Sequence, residues 1–290
     1  MGTKVVITAA LAGNWVFKKH NPSVPYTAKE FVDEAIRCRK AGASVVHIHA
    51  RNPETGQTTS EARYLQPIVD GIREKTDLLI NLSTGLNHQV DLEGRGRPVR
   101  SFEPDMASLN PGTMNFCFYD EEREEFSLDD TYLNPFSLSM GLARIMKERK
   151  IKPELECFDI GHVKNTFWLM RKGLVEMPPH YSFVFGVIGG IDFSLDNLNC
   201  FRHSIPAGST WQSIGVGAAC FPVAMATAIA GGHLRVGLED NIYIDVARRE
   251  KAKGSWDQVE KAVRIAEWAN REPASPEEAR EALHLPKRGG

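Results

Sequence analysis

The segment Val45–Gln57, VVHIHARNPETGQ, is a short apolar run that carries two histidines at its end. Because side chains alternate between the two faces of a strand, His47 and His49 share one face and Ile48 lies on the other. The following ARNPETG contains the Pro and Gly of a turn, so the two imidazoles lie where a strand ends. Such a pair suits either a metal ion or two hydrogen-bonded structural histidines, and the segment alone leaves both open.

Outward from this segment, apolar runs of strand length alternate with helical stretches. Thr27 and Glu30, spaced as a capping box, and Gly42, placed as a C-terminal stop, predict a helix before the segment. Eight strands, each followed by helical sequence, favour a (β/α)8 TIM barrel over an open doubly wound sheet. The open sheet usually has a glycine-rich phosphate loop after its first strand, which TAALAGNW does not supply. The eight predicted strands are KVVITAAL, SVVHIH, LLINLS, MASLN, ELECFD, YSFVFGV, STWQSIGVG and HLRVGLE.

No composition shift marks a boundary inside the chain. We therefore predict an α/β fold with a single barrel over residues 1–270 and a C-terminal helical tail, residues 271–290, packed on it. The acidic segment Tyr119–Asp130, YDEEREEFSLDD, has the character of an insertion after the fourth strand. Because charged side chains are seldom buried, it is predicted to be a solvated surface loop.

The composition is that of an ordinary soluble globular protein, with 290 residues, 42% hydrophobic, 25% charged and a net charge of -2. A balance this close to neutral argues against nucleic acid or an anionic membrane as the main partner. The sequence contains neither an apolar stretch of membrane-spanning length nor a signal-peptide pattern. The five cysteines are scattered and form no CxxC pair. These features predict reduced thiols, a cytoplasmic location and a small-molecule substrate.

Polar and ionisable side chains gather at the predicted C-terminal ends of the strands, where TIM barrels carry their chemistry. Burying an unpaired polar group costs about 1–3 kcal/mol, so a concentration of such groups at one end predicts a functional site. The remaining histidines show no ligand spacing and are predicted to be structural or surface residues. The candidate site residues, in strand order, are His47, His49, Ser83, Ser108, Asn110, Glu156, Arg235, Glu239 and Asp240.

Two histidines and one carboxylate leave a position open on Zn2+. Glu239 is the best third ligand for His47 and His49, because barrel closure brings strand eight beside strand one and near strand two. Asp240 follows directly and is expected to point differently, which leaves it available for proton transfer. Two alternatives stay open: Glu239 and Asp240 could cap the next segment, and Arg235 could simply neutralise Glu239.

Six blocks of the sequence resemble the β-keto acid cleavage enzymes along nearly the whole chain, from Lys4 to about Leu285. The order of the HxHxR and GxEDN blocks is specific, whereas a lone HxH also occurs in amidohydrolases. The resemblance implies a homotetrameric zinc (β/α)8 barrel with the metal held by His47, His49 and Glu239. The blocks are ITAALAG, AGASVVHIHAR, INLSTG, MASLNPGTMNF, PELECFD and GGHLRVGLEDNIY.

The family reaction converts a β-keto acid and acetyl-CoA into acetoacetate and the CoA ester of the remaining fragment. A metal-bound β-keto acid has an acidified C2 proton, and Asp240, polarised by Arg235, is the candidate base. Ser83 and the backbone N–H groups of STG, residues 83–85, would hold the developing oxyanions. By the same resemblance, Ser83, Glu156, Arg235 and Asp240 are catalytic. Substrate contacts are predicted for Trp15, Ser83, Thr84, Gly85, Ser108 and Asn110.

Two departures of this sequence from the family pattern concern the choice of substrate. In a family member of lysine fermentation, a carboxylate just after strand one holds the substrate's amino group, whereas the matching AGNW here offers Trp15. After the strand-five Glu, Asp159 stands where that enzyme has Glu. We therefore expect poor use of 3-keto-5-aminohexanoate. Better use is expected of a β-keto acid whose tail is neutral, apolar or trimethylammonium, such as dehydrocarnitine.

Three other readings remain. A hydrolase of the amidohydrolase type would carry its HxH on strand one, where this chain has none. A metal-dependent aldolase or lyase would need no CoA, and CoA binding leaves no short sequence signature. A non-catalytic zinc-stabilised scaffold would unfold without its metal, whereas an enzyme would lose activity first. An assay of CoA-ester formation with and without acetyl-CoA distinguishes the hydrolase and the aldolase or lyase from an enzyme that catalyses the family reaction.

Overall fold

Eight parallel strands close into a barrel, which confirms the predicted TIM-barrel fold. The computed structural model describes residues 4–86, 91–120 and 122–286. His88, predicted to be structural, lies outside the described residues, as do Glu121 of the acidic segment and residues 287–290 of the predicted tail. The barrel strands β1–β8 are Ile7–Ala10, Val45–Ile48, Leu79–Leu82, Met106–Leu109, Lys152–Cys157, His180–Phe185, Thr210–Gly215 and His233–Val236.

Barrel closure brings together groups that are distant in the sequence. β8 pairs with β7 on one side and with β1 on the other, and β1 pairs with β2. In the register, Arg235 lies opposite Thr8, and Ala10 lies opposite His47. The C-terminal ends of β8 and β2 are therefore separated by a single strand, as the sequence predicts.

The helices surround the barrel, and α1 illustrates how the sequence sets their ends. The Thr27 side chain accepts a hydrogen bond from the Glu30 N–H, and the Glu30 carboxylate accepts one from the Thr27 N–H, so the predicted capping box is present. Gly42 ends the helix with φ 114, a left-handed conformation that favours glycine. The helices α1–α9 are Ala28–Ala41, Ala62–Lys75, Leu92–Ser101, Phe136–Glu148, Ile160–Arg171, Leu195–Ser204, Cys220–Ala230, Ser255–Trp268 and Pro276–Ala282.

The alternation of β2 explains how one strand serves both the core and the barrel interior. Val46 and Ile48 are buried in the apolar layer that also contains Phe31 of α1 and Ile68 of α2. His47, between them in sequence, points to the opposite face and therefore into the barrel. Burial of a Val or Ile side chain stabilises the fold by about 1.5–3 kcal/mol, so packing of the outer face fixes the imidazole on the inner one.

The prediction of a solvated loop at residues 119–130 is wrong. Met114–Asp120 and Glu125–Tyr132 pair as antiparallel strands, and we call this hairpin the arm. The described acidic residues near its tip are exposed, as their charge predicts, but the other face carries aromatic rings. The reason is period-two alternation, which places Phe116 and Phe118 on one face despite the charged residues that follow.

The C-terminal residues close the opposite end of the barrel. Glu272–Pro273 pairs in parallel with Lys4–Val5, and α9 packs through Ala279 and Leu283 against the first residues of the barrel strands. The partners in that apolar cluster are Val6, Val45, Leu79 and Met106. The boundary between barrel and tail at residue 270 stays a prediction. Among the described residues, none of the helices combines the length and apolar character needed to cross a membrane.

Arg271 ties this tail to the barrel, and we expect Arg271→Ala to lower the free energy of unfolding by about 3 kcal/mol. Its buried guanidinium donates to the carbonyl oxygens of Gly232 at 2.5 Å and Lys4 at 3.0 Å. Urea unfolding followed by circular dichroism measures the change. Arg264→Ala, at an exposed position on α8, is the matched control and should change stability by less than about 0.5 kcal/mol. Equal effects in the two variants would contradict this role.

Candidate active site

A cavity of about 520 Å³ opens at the C-terminal end of the barrel. Its floor carries polar and charged side chains from β5 and β8 and from the residues that follow β2, β3, β4 and β8. Its walls come from the loop after β1, from the arm and from the loops after β6 and β8. The floor residues are His49, Ser83, Asn110, Glu156, Arg235, Glu239 and Asp240.

His47, His49 and Glu239 converge as the sequence predicts. His47 Nε2 lies 3.7 Å from Glu239 Oε2, and His49 Nε2 lies 3.4 Å from Glu239 Oε1. One ligand atom from each of the three residues lies within 4.8 Å of the others. Ligand atoms around a tetrahedral zinc ion are about 3.4 Å apart, given bond lengths of 2.0–2.1 Å. The donor set therefore fits a zinc ion.

Charge balance supports the same fit. In the described part of the chain, three carboxylates contact the buried Arg235 guanidinium, and the carboxylate of Glu154 lies deeper in the barrel. Glu239 Oε2 is buried and has no hydrogen-bond partner. Because burying an uncompensated charge is costly, this excess of negative charge favours a divalent cation.

Arg235 organises the carboxylates. Its Nε and Nη2 donate to the two oxygens of Asp240, each at 3.0 Å. Nη2 also donates to Glu239 at 2.7 Å, and Nη1 donates to Glu156 at 3.2 Å. Arg235 thus binds Glu239 as one alternative predicted, but it also holds Asp240 and Glu156 in place. The guanidinium fork makes this arrangement possible.

Burial and neighbouring charges set the protonation of these groups. Burial lowers the pKa of His47 to about 4, so its imidazole is neutral and offers a lone pair. Burial raises the pKa of Glu239, but the charge of Arg235, together with the contacts to the two histidines, outweighs it and holds that pKa well below its usual range. Burial raises the pKa of Asp240 and of Glu156 above the usual values, although each is bonded to the guanidinium.

The predicted strand eight ends earlier than expected, and a turn delivers the two acids. β8 stops at Val236, and Gly237 follows with φ 152. A Cβ at Gly237 would lie 2.1 Å from the Ala10 carbonyl oxygen, so glycine is required. The Glu239 N–H donates to that same oxygen at 3.3 Å. The turn is thereby anchored to β1, and Asp240 and Glu239 approach Arg235 from different directions.

The STG loop after β3 has its backbone donors engaged within the protein. The Thr84 N–H donates to Ser108 Oγ at 3.1 Å, and the Gly85 N–H donates to Ser83 Oγ at 3.0 Å. Thr84 and Ser108 are buried behind the cavity wall, where the Thr84 hydroxyl donates to the Ser108 carbonyl. These bonds support the loop, and the oxyanion and substrate contacts predicted for these groups stay predictions. Ser83 and Gly85 do line the cavity.

Glu156 and Asn110 belong to a hydrogen-bonded chain that the sequence did not reveal. Asn110 Nδ2 donates to Glu156 at 2.9 Å, and the Tyr132 hydroxyl of the arm donates to Asn110 Oδ1 at 2.6 Å. The buried Arg95 of α3 in turn donates to the Tyr132 oxygen and to the Thr84 carbonyl. The arm is thus fastened to the cavity floor.

Trp15 lines the cavity beside the arm. Its ring stacks on Phe116, with centroids 5.7 Å apart, and meets Phe118 edge-on at 5.3 Å. Arg51 of the HxHxR block fixes the loop that carries Trp15, by donating to the carbonyl oxygens of Gly13 and of Val16 at 2.7 Å. Sequence reasoning left Arg51 without a role, because nothing local shows where its donors point.

Sequence reasoning also missed Glu154, which is fully buried inside the barrel. It lies two residues before Glu156 on β5, so both share the inward face, and this position was the available signal. Glu154 Oε2 lies 4.0 Å from His47 Nδ1, a buried nitrogen without a hydrogen-bond partner. The carboxylate accepts hydrogen bonds from Asn81, Ser182 and Gln212.

Comparisons with known proteins show the family to which the chain belongs. A sequence profile of the beta-keto acid cleavage enzyme family matches residues 4–285. The 3-keto-5-aminohexanoate cleavage enzyme of Fusobacterium nucleatum is 39% identical over 289 residues, which is 99% of this chain and 100% of that protein. The 3,5-dioxohexanoate:acetyl-CoA acetone transferase of Paraburkholderia graminis is 32% identical, over 97% of this chain and 96% of that protein.

Among solved structures, a binary complex of ObcA with oxaloacetate matches with a TM-score of 0.76 at 20% identity. The match covers 92% of this chain and 68% of that one and shows likeness in fold. The family profile, by contrast, spans the barrel from β1 to the last residues of the tail helix and includes all three converging ligands. By this full-length match and by its two relatives, the chain is an enzyme of the β-keto acid cleavage family.

Proposed function

We propose that this enzyme is a zinc-dependent transferase that converts a β-keto acid and acetyl-CoA into acetoacetate and an acyl-CoA by a Claisen and retro-Claisen route. The observation that carries the proposal is the meeting of His47, His49 and Glu239 with Arg235 and Asp240 on one cavity floor. The name of the acetyl-CoA-dependent relative supports acetyl-CoA as the co-substrate.

His47, His49 and Glu239 would hold the zinc ion, which would supply Lewis-acid polarisation to the 3-oxo group of the substrate. Neutral imidazoles are the form in which histidine ligates a metal, and the lowered pKa of His47 ensures that form at neutral pH. Glu154 faces the far nitrogen of His47 from inside the barrel. Carboxylates in that position orient the imidazole ligand.

Asp240 is the proposed base that removes the C2 proton. Two hydrogen bonds from Arg235 fix its carboxylate beside Glu239, and its raised pKa brings it closer to the operating pH. The resulting carbanion attacks the acetyl thioester, and CoA leaves. CoA then adds to the original ketone, and cleavage of the C2–C3 bond releases acetoacetate and the new CoA ester.

Ser83 and Glu156 serve the later steps. The Ser83 oxygen accepts from the Gly85 N–H, which leaves its hydroxyl proton to donate to a developing oxyanion. Glu156 lines the cavity and has a raised pKa, so it can hold a proton and return it to C2 of acetoacetate. Asn110 and Arg235 position the Glu156 carboxyl group.

A panel of β-keto acids with acetyl-CoA tests the proposal directly. Acetoacetate and a new CoA ester should appear together, in equal amounts and only when both substrates are present. Cleavage that proceeds equally well without acetyl-CoA would replace the proposal with the aldolase reaction.

We further propose, from the family resemblance, a homotetramer in the cytoplasm. Met225 and Ile229 on α7 and Trp268 on the neighbouring α8 expose apolar surface that a subunit contact would cover. All five cysteines are free thiols, which suits a reducing compartment. Light scattering after size exclusion, with a chain mass of 32.3 kDa as the reference, measures the subunit number.

His47→Ala and His49→Ala should each remove stoichiometric zinc and nearly all turnover, because each leaves two ligands of three. Metal analysis of the purified variants and the absorption of bound Co2+ measure binding without relying on activity. His203→Ala, at an exposed position on α6, is the control and should keep full occupancy. Full zinc occupancy in both active-site variants would show that the ion binds elsewhere.

Asp240→Asn should keep zinc but slow exchange of the substrate's C2 proton with solvent by at least about 100-fold, the lower range of a general base's contribution. Nuclear magnetic resonance in D2O follows this exchange without any need for acetyl-CoA. Asp70→Asn, at an exposed position on α2, is the control. Exchange at the wild-type rate in Asp240→Asn would assign the base elsewhere.

A further inference from the structure

We propose that the substrate of this enzyme is a β-keto acid whose tail, the part beyond the 3-oxo carbon, is uncharged and apolar. This inference rests on the proposed function and names the substrate class for the same cavity. The sequence leaves neutral, apolar and trimethylammonium tails open. This inference restricts the substrate to apolar tails.

The cavity separates charge from apolar surface. Its charged side chains are the floor groups, and all of the floor carboxylates contact Arg235. Above the floor, the described lining residues are apolar or carry neutral polar groups. The side chains that dominate this upper wall are Trp15, Phe116, Phe118, Phe158, Val187 and Ile188.

The aromatic part of the wall is a packed cluster. Trp15 stacks on Phe116 with an interplanar angle of 25°, while Phe116 and Phe118 meet edge-on with centroids 5.5 Å apart. The rings come from two separate elements, the loop after β1 and the arm. Such a cluster offers continuous apolar surface, and each methylene buried against it gains favourable transfer free energy.

A tail ammonium finds no carboxylate in the upper wall of the described cavity. Asp159 follows the floor residue Glu156 by three positions in the sequence. It is exposed and caps α5 by accepting a hydrogen bond from the Gly161 N–H at 2.8 Å. Asp129 of the arm is exposed and accepts from the Cys117 thiol at 3.5 Å, and Asp245 pairs with Arg248 at 3.5 Å. An ammonium group placed there would be buried without a partner, which is costly.

A tail with a carboxylate or a trimethylammonium group is also disfavoured in this cavity. The cation that lines the described cavity is Arg235, which already binds three carboxylates, so a tail carboxylate has no free partner. At the mouth, burial and the positive charges of Lys19 and Lys251 lower the pKa of His20, which is therefore neutral at pH 7. A trimethylammonium tail likewise finds no described acid in the upper wall to pair with.

The test compares three six-carbon β-keto acids that differ only in the tail group: 3-oxohexanoate, 3-keto-5-aminohexanoate and 3-oxoadipate. Dehydrocarnitine supplies the quaternary ammonium. We expect kcat/KM for 3-oxohexanoate to exceed that of each charged substrate by at least tenfold, which corresponds to about 1.4 kcal/mol. A margin below tenfold for any charged substrate would overturn the proposal.

Two further measurements keep this test informative. Exchange of isotope between labelled acetyl-CoA and acetoacetate tests the proposed reaction with the smallest tail, a methyl group. Its absence refutes the proposed function, whereas exchange combined with a preference for a charged tail refutes only the present inference.

Trp15→Ala should lower the ratio of kcat/KM for 3-oxohexanoate to the acetoacetate exchange rate by about tenfold. Trp168→Ala, at a position that is 49% exposed on α5, is the matched control and should leave the ratio unchanged. An unchanged ratio in Trp15→Ala would remove the aromatic wall from substrate choice and overturn the proposal.

Discussion

The buried guanidinium of Arg235 is the constraint on which the rest of the site depends. It comes from β8, deep enough to be 3% exposed, and it holds acids from β5 and from the turn after β8. Removing one partner of a buried ion pair usually costs 3–5 kcal/mol, because the other charge stays uncompensated. Here three acids share one cation, so the packing of this end of the barrel depends on the guanidinium.

The same constraint gives the carboxylates different protonation. Glu239 lies between the guanidinium and two imidazoles, so it stays ionised and can ligate a metal. Asp240 and Glu156 also touch Arg235, yet burial and the negative charges of Glu154 and Glu239 raise their pKa values. A single cation therefore contacts carboxylates whose pKa values are shifted in opposite directions, as expected for neighbouring titratable groups in unlike surroundings.

Much of the fold and of the candidate site could be predicted from the sequence, because strand periodicity is a local rule and barrel closure is a topological one. The alternation of β2 places His47 and His49 together, and closure places Glu239 within reach of both. The sequence could not show how deeply each side chain is buried in the barrel. Glu154 and Glu156 share a face of β5, and only the packing of side chains from other strands shows that Glu154 is buried among hydrogen-bond donors. Likewise, the backbone donors of the STG loop proved to be engaged, which depends on contacts between β3 and β4.

The arm shows why substrate choice is harder to predict than chemistry. The floor groups lie on or directly after barrel strands, whose positions are fixed by the core. The wall comes from a hairpin and a loop, which meet through Trp15, Phe116 and Phe118 and are anchored by Tyr132 and Arg95. The rings of this wall belong to the loop after β1 and to the arm, whereas the floor groups belong to the barrel strands and the residues that directly follow them. A relative that is 39% identical can therefore share the reaction and differ in the tail that it accepts.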